Sequence, residues 1–145
     1  MDNDIQIKEV TEFSHEIAQA VRYLVGQLDE HFQELSDEDL QSILLSKDIH
    51  LLVAKDGEKI VGMITLATYR IPYKKKGWLE DLVVDESARG KGIGSKLVHA
   101  GTQLAKKKGL KAVDLTSQPT REEANKLYER LGFEKRGTHV YRVKL

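Results

Sequence analysis

The segment WLEDLVVDESARGKGIGSKL, residues 78–97, joins an apolar run, a turn rich in glycine and cations, and an amphipathic stretch. The apolar run at residues 78–84 predicts a buried strand. After the turn, apolar residues recur at the spacing of an amphipathic helix, at Ile93, Leu97, Ala100 and Leu104. A further apolar run, LKAVDLT at residues 110–116, predicts another strand. A strand, a helix and a strand in this order predict a crossover between parallel strands.

The turn at residues 88–95 combines bare backbone with positive charge. The dinucleotide pattern G-x-G-x-x-G fails there, because Ser95 stands where the third glycine is needed, and the P-loop pattern fails as well. What remains is Arg89-x-x-Gly92-x-Gly94 between a strand and a helix. The amide groups of a first helical turn point outward, and glycine lets a bulky anion approach them. The turn therefore predicts an anion site, with a purely structural tight turn as the alternative.

The rest of the chain alternates helical and strand patterns. Before the segment above, the pattern predicts a strand at residues 5–10, a helix at 13–28, a short helix after the N-cap Ser36, and two strands joined at Asp56-Gly57 and ended by Pro72. The helix that follows the glycine-rich turn is predicted to end at Lys106–Lys108 and Gly109. After it, a capping box of Thr120 and Glu123 predicts the start of a further helix, and strands are predicted at 133–137 and 138–145. This order predicts a single α/β domain over residues 1–145. Its central sheet is expected to be mixed and mostly antiparallel, with about seven strands and with helices on both faces.

Composition excludes several kinds of site. The chain of 145 residues contains no cysteine, which rules out disulfides, thiolate metal sites and a cysteine nucleophile. The five histidines lack ligand-type spacing, so no metal is expected. The acidic start MDNDIQIKEV does not fit a signal peptide, and no apolar run is long enough for a bilayer, so a cytoplasmic protein without a membrane partner is expected.

The charge is distributed unevenly along the chain: residues 1–50 carry 12 acidic and 3 basic residues, and residues 51–145 carry 11 acidic and 20 basic residues.

Two segments resemble the GNAT acetyltransferase superfamily. Arg89, Gly92 and Gly94 match its loop pattern R/Q-x-x-G-x-G/A, and residues 78–97 resemble its central strand, loop and helix throughout. The segment REEANKLYERLGFEKRG, residues 121–137, resembles the family's later helix and strand. The resemblance covers essentially the whole chain, although residues 1–50 match only in the order of their elements. It implies a GNAT-like sheet that is splayed between strands four and five, often at a bulge.

The resemblance implies acetyl-coenzyme A as the co-substrate, and a polyanion fits the basic balance of the later residues. Its pyrophosphate is expected at the backbone amides of the glycine-rich turn, and its pantetheine arm along the fourth strand, as though it were an added strand. An asparagine on the later helix is expected to hydrogen-bond it. The residues expected to bind it are Leu82, Val83, Val84, Arg89, Gly90, Lys91, Gly92, Ile93, Gly94, Ser95, Asn125 and Tyr128.

The resemblance also implies the catalytic residues. An acceptor amine with a lysine-like pKa of about 10.4 must lose a proton, and Glu80 is expected to take it, directly or through water. Asp81 is expected to be structural, because neighbouring strand residues point to opposite faces. The amide of Leu82 or Val83 is expected to face the oxyanion, and Tyr128 to protonate the leaving sulfur. Without a cysteine, direct transfer in a ternary complex is expected. Glu80 as an exposed strand carboxylate, and Tyr128 as a core aromatic, are the structural alternatives.

The acetyl acceptor is expected at the two early helices, which wall the acceptor pocket by resemblance. Their connection LDEHFQEL, residues 28–35, contains Asp29, Glu30 and Glu34, and its negative field favours a cation. A small primary amine or a lysine-bearing peptide is therefore expected as the acceptor. The resemblance leaves the oligomeric state open, with a homodimer as one option.

Two other classes of function compete with this interpretation. One is a non-catalytic module that senses acyl-coenzyme A, which Glu80 and Tyr128 argue against. The other is a nucleic-acid-binding domain that uses the lysine runs at residues 73–77 and 106–109. Both runs fall at predicted ends of elements, and the overall charge is zero, so no nucleic-acid partner is expected.

Overall fold

A four-stranded antiparallel sheet lies at the centre of the computed structural model, which describes residues 4–145. The strands pair in chain order and are β1 (Ile5–Glu9), β2 (Ile49–Asp56), β3 (Lys59–Arg70) and β4 (Lys75–Val84). The helices are α1 (His15–Leu28), α2 (Asp37–Leu45), α3 (Ile93–Lys107) and α4 (Glu122–Arg130), with a short 3₁₀ turn at Glu86–Ala88. The chain divides into two compact units, Met1–Leu115 and Thr116–Leu145. The sheet with α1 to α3 belongs to the first unit, and α4 belongs to the second.

Helices cover both faces of the sheet, as the sequence predicts. Because side chains alternate along a strand, Met63 and Ile64 of β3 point to opposite faces. The side of Met63 packs against α1 and α2, with a buried cluster of Ala18, Val21, Leu24, Leu40, Leu51, Val53 and Val83. The side of Ile64 packs against α3, where a Cβ on Gly101 would lie 2.8 Å from Leu79 Cδ2. A glycine there lets α3 approach the sheet closely.

Several predicted boundaries are confirmed. The Ser36 side chain accepts a hydrogen bond from the Asp39 amide at 3.0 Å, as an N-cap should. The hairpin between β2 and β3 turns at Gly57, whose φ is +61°. Helix α3 ends with lysines in its last turn, followed by Gly109 with φ +83°, the left-handed conformation that suits a helix terminus.

The predicted capping box of Thr120 and Glu123 is wrong. Helix α4 begins at Glu122, and its N-cap is Arg121, which makes no side-chain capping bond. The local turn is held differently, since the Arg121 amide donates to the Gln118 carbonyl at 3.0 Å.

The prediction of about seven strands is also wrong, because the structure has four strands in one sheet. The expected fifth strand at residues 110–116 is reduced to one parallel bridge between Trp78 and Asp114. The expected strands at residues 133–145 do not form in the described chain, where most side chains after residue 133 are exposed. Their alternating pattern favours strands, but a strand needs a neighbour for its backbone hydrogen bonds, and sequence periodicity does not supply one.

Candidate functional site

The edge of β4 that faces away from β3 is paired only at its beginning. The Leu79 amide donates to the Asp114 carbonyl at 2.9 Å, and the Asp114 amide donates to the Gly77 carbonyl at 3.1 Å. Beyond Leu79, no strand among residues 4–115 pairs with this edge. The second half of β4 therefore presents open backbone groups.

A β-bulge directs those groups outward. Met63 pairs with Val83 and Thr65 pairs with Glu80, so two residues of β4, Asp81 and Leu82, stand opposite a single residue of β3. Asp81 has φ +54°, the left-handed conformation that is uncommon outside glycine.

The hydrogen bonds after the bulge settle which groups are open. The Asp85 amide donates to the Val61 carbonyl at 2.8 Å, so alternation along β4 turns the amide and carbonyl of Val83 toward β3 as well. The backbone groups of Leu82 and Val84 then face the open side. Of the three residues expected along pantetheine, Leu82 offers its amide and its carbonyl. Val84 offers its amide, because its carbonyl accepts a hydrogen bond from Arg89 Nε at 3.1 Å.

Two adjacent carboxylates, Glu80 and Asp81, lie at the bulge. Partial burial raises the pKa of Glu80 above its ordinary value, and the neighbouring negative charge of Asp81 raises it further. Burial also raises the pKa of Asp81. Leu79 contacts the α3 side of the sheet, so Glu80 points to the side that carries α1 and α2. The simple alternation that predicted opposite faces for the two carboxylates is interrupted at Asp81.

The turn after β4 exposes a series of backbone amides. Gly90 and Gly92 have φ of +81° and +75°, and Gly92 is the N-cap of α3. The first amide bonded within the helix is that of Lys96, which donates to the Gly92 carbonyl at 3.1 Å. No backbone carbonyl in residues 4–145 accepts from the amides of residues 90–95. These amides carry the positive end of the helix dipole.

Arg89 differs from its expected role in one respect. Its own amide donates to the Glu86 carbonyl at 3.4 Å, so the open amides begin at residue 90 rather than 89. Its side chain folds back over the end of β4, where Nε donates to the Val84 carbonyl at 3.1 Å. The guanidinium therefore lies between the open strand edge and the glycine-rich turn.

Asp85 joins the turn to α1, a role that the sequence analysis missed. Its side chain is 4% exposed and accepts hydrogen bonds from Gln27 Nε2 at 3.2 Å and from the Ser87 amide at 3.4 Å. Gln27 Oε1 in turn accepts from the Glu86 amide at 3.1 Å. Burial alone would raise the pKa of Asp85, but these hydrogen bonds and the nearby Lys59 outweigh it and hold the pKa below its usual value. The order Asp-x-Ser directly after a strand is the one sequence signal for such a turn.

The expected residues of α4 belong to the second unit. Asn125 Nδ2 donates to the carbonyls of Gln118 at 2.9 Å and Arg121 at 2.8 Å. Both partners are acceptors, so the amide orientation is fixed and Oδ1 is left to accept a further hydrogen bond. Tyr128 is 8% exposed, and its ring meets Phe133 edge to face at 6.0 Å. Burial raises the pKa of Tyr128, although the charge of Arg121 opposes this.

The connection between α1 and α2 keeps its acidic side chains in solvent. Asp29, Glu30 and Glu34 are all exposed, and the Asp29 carboxylate accepts from the His31 amide at 2.9 Å. This acidic loop, residues 29–35, begins two residues after Gln27, which is hydrogen-bonded to Asp85 at the end of β4. Glu34 lies 3.7 Å from Arg22 Nε, so part of the negative charge of the loop is balanced. Asp29 and Glu30 add negative charge on the same loop.

Two features are absent from residues 4–145. No group of three or more histidine or acidic residues there is arranged to hold a metal ion. No helix in the same range is long and apolar enough to cross a bilayer.

Comparisons with known proteins agree on one family. The model of the acetyltransferase (GNAT) family matches residues 14–133. The uncharacterized N-acetyltransferase YhfO of Bacillus subtilis (strain 168) is 29% identical over 124 residues, which cover 81% of this chain and 83% of that protein. N-acetyltransferase 8B of Homo sapiens is 34% identical over 93 residues, and the match spans 63% of this chain and 41% of that protein.

Solved structures share the fold over nearly the whole chain. An aminoglycoside acetyltransferase, meta-AAC0020, from an uncultured soil metagenomic sample, in complex with sisomicin, has a TM-score of 0.85 and 25% identity, covering 99% of this chain and 98% of that one. An acetyltransferase of Trypanosoma brucei has a TM-score of 0.80 and 27% identity, covering 98% and 100%. The aminoglycoside N-acetyltransferase AAC(6′)-Iy in complex with CoA has a TM-score of 0.80, with 99% and 97% covered, and at 18% identity this likeness concerns the fold alone.

Proposed function

The chain belongs to the acetyltransferase (GNAT) family and is an N-acetyltransferase, and we propose that it moves the acetyl group of acetyl-coenzyme A directly to a primary amine. Membership in a family of enzymes favours catalysis over the non-catalytic sensor. The observation that carries the proposal is the open half of β4, which ends beside a turn of unbonded amides.

The residues present fit acetyl-coenzyme A. Its pyrophosphate is an anion, and the amides of residues 90–95 together with Arg89 offer donors and positive charge. Its pantetheine arm contains amides, which can pair with the Leu82 carbonyl and the Val84 amide as an added strand does. A Cβ built on Gly90 or Gly92 meets no atom within 4 Å, so the space beside this backbone is open. When bound, acetyl-coenzyme A supplies the acetyl group as a thioester.

Glu80 is the proposed base. It takes a proton from the acceptor ammonium, directly or through one water molecule, which frees the nitrogen lone pair for attack. A raised pKa makes a carboxylate a stronger base, and both burial and the charge of Asp81 act in that direction. Asp81 thus contributes through its field rather than by contact with the amine.

Leu82 and Tyr128 are proposed to act on the negative charges that develop on the thioester oxygen and on the departing sulfur. The Leu82 amide faces the open edge and donates to the thioester oxygen as that oxygen gains negative charge, whereas the Val83 amide faces β3. Tyr128 stays protonated at neutral pH, because burial raises its pKa, and it gives its proton to the departing sulfur. Asn125 Oδ1 accepts from the co-substrate. No cysteine is present to carry the acetyl group, which supports direct transfer in a ternary complex.

The proposed acceptor is a small primary amine or a lysine-bearing peptide. Glu80 and the acidic loop attract a cation, and a protonated amine is a cation until it meets the base. The relative in complex with sisomicin supports testing aminoglycosides first.

Glu80→Gln tests the base. In the wild type, the rate of acetyl transfer should fall as pH drops through the raised pKa of Glu80, because protonation removes the base. The variant should lose turnover by roughly 10- to 10⁴-fold at neutral pH and recover partly toward the pKa of the amine. The measurement is thiol release over a pH series with sisomicin, other primary amines and lysine peptides.

In the same series, Tyr128→Phe should keep co-substrate affinity and slow single-turnover transfer by roughly 100-fold.

Asp81→Asn is the matched control. Asparagine tolerates the left-handed conformation at this position, so the bulge is kept while one charge is removed. The pKa of Glu80 should then fall, and the acid limb of the rate profile should move to lower pH with turnover at neutral pH largely retained. If Asp81→Asn abolishes turnover while Glu80→Gln keeps it, the base is misassigned. If neither variant changes the profile, a base on β4 is excluded.

A further inference from the structure

The end of β4 opposite the glycine-rich turn borders a second, basic cleft. Its volume is about 310 Å³, and its cationic lining is formed by Arg70, Lys74, Lys75, Lys76 and Lys111. We call these five residues the lysine cleft. Asp114 also lines the cleft and is the one acidic residue in its described lining. The excess of positive charge predicts an anionic ligand.

The fold brings together two parts of the chain that are distant in sequence. Lys75 Nζ donates to the Lys108 carbonyl at 3.0 Å, across the end of α3. Gly77 lies so close to the segment after α3 that a Cβ there would come within 2.7 Å of Leu110 Cδ1. The run at residues 73–77 lines the cleft with its three lysines, whereas the run at residues 106–109 contributes Gly109 alone, and Lys111 supplies the cation on that side. The fold thus concentrates positive charge at one place, which the overall charge of zero does not reveal.

One exposed tyrosine lines the cleft together with these cations. Tyr73, in the turn between β3 and β4, is 83% exposed. Lys74 Nζ lies 5.4 Å from the centre of the Tyr73 ring. An ammonium group on one side of a ring leaves the rest of the ring open for stacking. The proposed site of the transfer reaction does not use Tyr73.

We propose that the lysine cleft, with Tyr73, binds a short single-stranded segment of nucleic acid. Phosphates would contact the cations, and an unpaired base would stack on the Tyr73 ring, which is how proteins hold single strands without reading their sequence. An acidic polypeptide could match the charge but has no base to stack on the exposed ring. Five cations exceed what one mononucleotide can engage, so a strand of several nucleotides fits better.

This site is separate from the proposed co-substrate site. Strand β4 runs from Lys75 to Val84, so the two anion sites lie at its opposite ends, about 30 Å apart. A bound strand and acetyl-coenzyme A should therefore not compete. The inference does not depend on the proposed acceptor or on the catalytic roles.

Fluorescence anisotropy with a labelled oligothymidylate of about 12 nucleotides tests the proposal. We expect binding that weakens with salt at a log–log slope of about −2 to −4, because a few phosphates are neutralised. The double variant Lys74→Glu/Lys76→Glu should lose at least about tenfold in affinity. Tyr73→Ala should lose about tenfold through stacking alone and leave the salt slope unchanged. A labelled oligouridylate of equal length distinguishes RNA from DNA, and binding of either supports the site.

The matched control is Lys8→Glu/Lys47→Glu, which changes net charge equally at exposed positions outside the cleft. It should keep the affinity of the wild type, and thermal melting should show all variants folded. Saturating acetyl-coenzyme A should not displace the strand. Equal loss in the control double variant would overturn the proposal, as would no binding at low salt. Displacement by polyglutamate or thymidine monophosphate as efficient as by unlabelled strand would overturn it too, by assigning the cleft to an acidic polypeptide or a small phosphate.

Discussion

The two ends of α3 are both cationic, for opposite physical reasons. At the beginning of the helix, Arg89 and Lys91 stand beside amides that have no backbone acceptor. At its end, Lys106 and Lys107 stand beside carbonyls, where positive side chains balance the negative end of the helix dipole. Only the first end adds backbone donors to its charge. The comparison teaches that positive charge alone does not distinguish the pyrophosphate site proposed for the co-substrate from the other end of the helix, whereas the direction of the backbone does.

A pair of glycine substitutions should show the largest difference between the two ends of α3. Gly92 and Gly109 flank α3, have φ of +75° and +83°, and would each have an added Cβ in open space. Valine should strain both positions about equally, by roughly 1–2 kcal/mol or more. Gly92→Val should also obstruct the approach of phosphate to the amides, and affinity for acetyl-coenzyme A should fall by roughly 100-fold or more. Calorimetric titration gives the affinity, and melting curves give the strain.

Gly109→Val serves as the control in that experiment, since it carries the same backbone strain at the other end. It should melt at a temperature similar to that of Gly92→Val and bind acetyl-coenzyme A like the wild type. Equal affinity in the two variants would mean that the difference between the helix ends has no bearing on the co-substrate.

A smaller effect should distinguish the charges at the two ends. Arg89→Ala removes a guanidinium next to the open amides and should weaken acetyl-coenzyme A binding by about tenfold at low salt. The loss should shrink at high salt, where the charge is screened in the wild type as well. Lys107→Ala should change affinity by less than about twofold at either ionic strength, because an exposed charge beyond a Debye length contributes little. Equal losses of affinity from the two substitutions would mean that acetyl-coenzyme A responds to the net charge of the protein and not to the position of Arg89.

Local chemistry explains what could be predicted from the sequence. The hairpin turn at Gly57, the lysine-rich helix end with Gly109 and the Ser36 cap are set by neighbouring residues, and the structure has them as predicted. The glycine-rich turn was recognisable for the same reason. Its chemistry depends on amides at positions that a helix start leaves unbonded.

Long-range contacts explain what could not be predicted. The bulge at Asp81 depends on the register between two strands, and Gln27 reaches Asp85 across 58 positions of the chain. The alternating pattern at residues 138–145 favours a strand, yet pairing needs a partner edge that periodicity cannot specify. The Lys75–Lys108 contact is equally non-local, so the lysine cleft became visible only in the fold.

Amide hydrogen exchange with and without acetyl-coenzyme A tests the central claim most directly, because it reports individual backbone groups. The claim is that the open half of β4 and the first turn of α3 hold the co-substrate. We predict slower exchange at Leu82 and across residues 90–95 on binding, since these amides gain acceptors or lose solvent. The amides of Lys108 and Gly109, already bonded to Leu104 and Lys106, should be unchanged. Unchanged exchange at residues 90–95, or protection confined to the lysine-rich end, would contradict the claim.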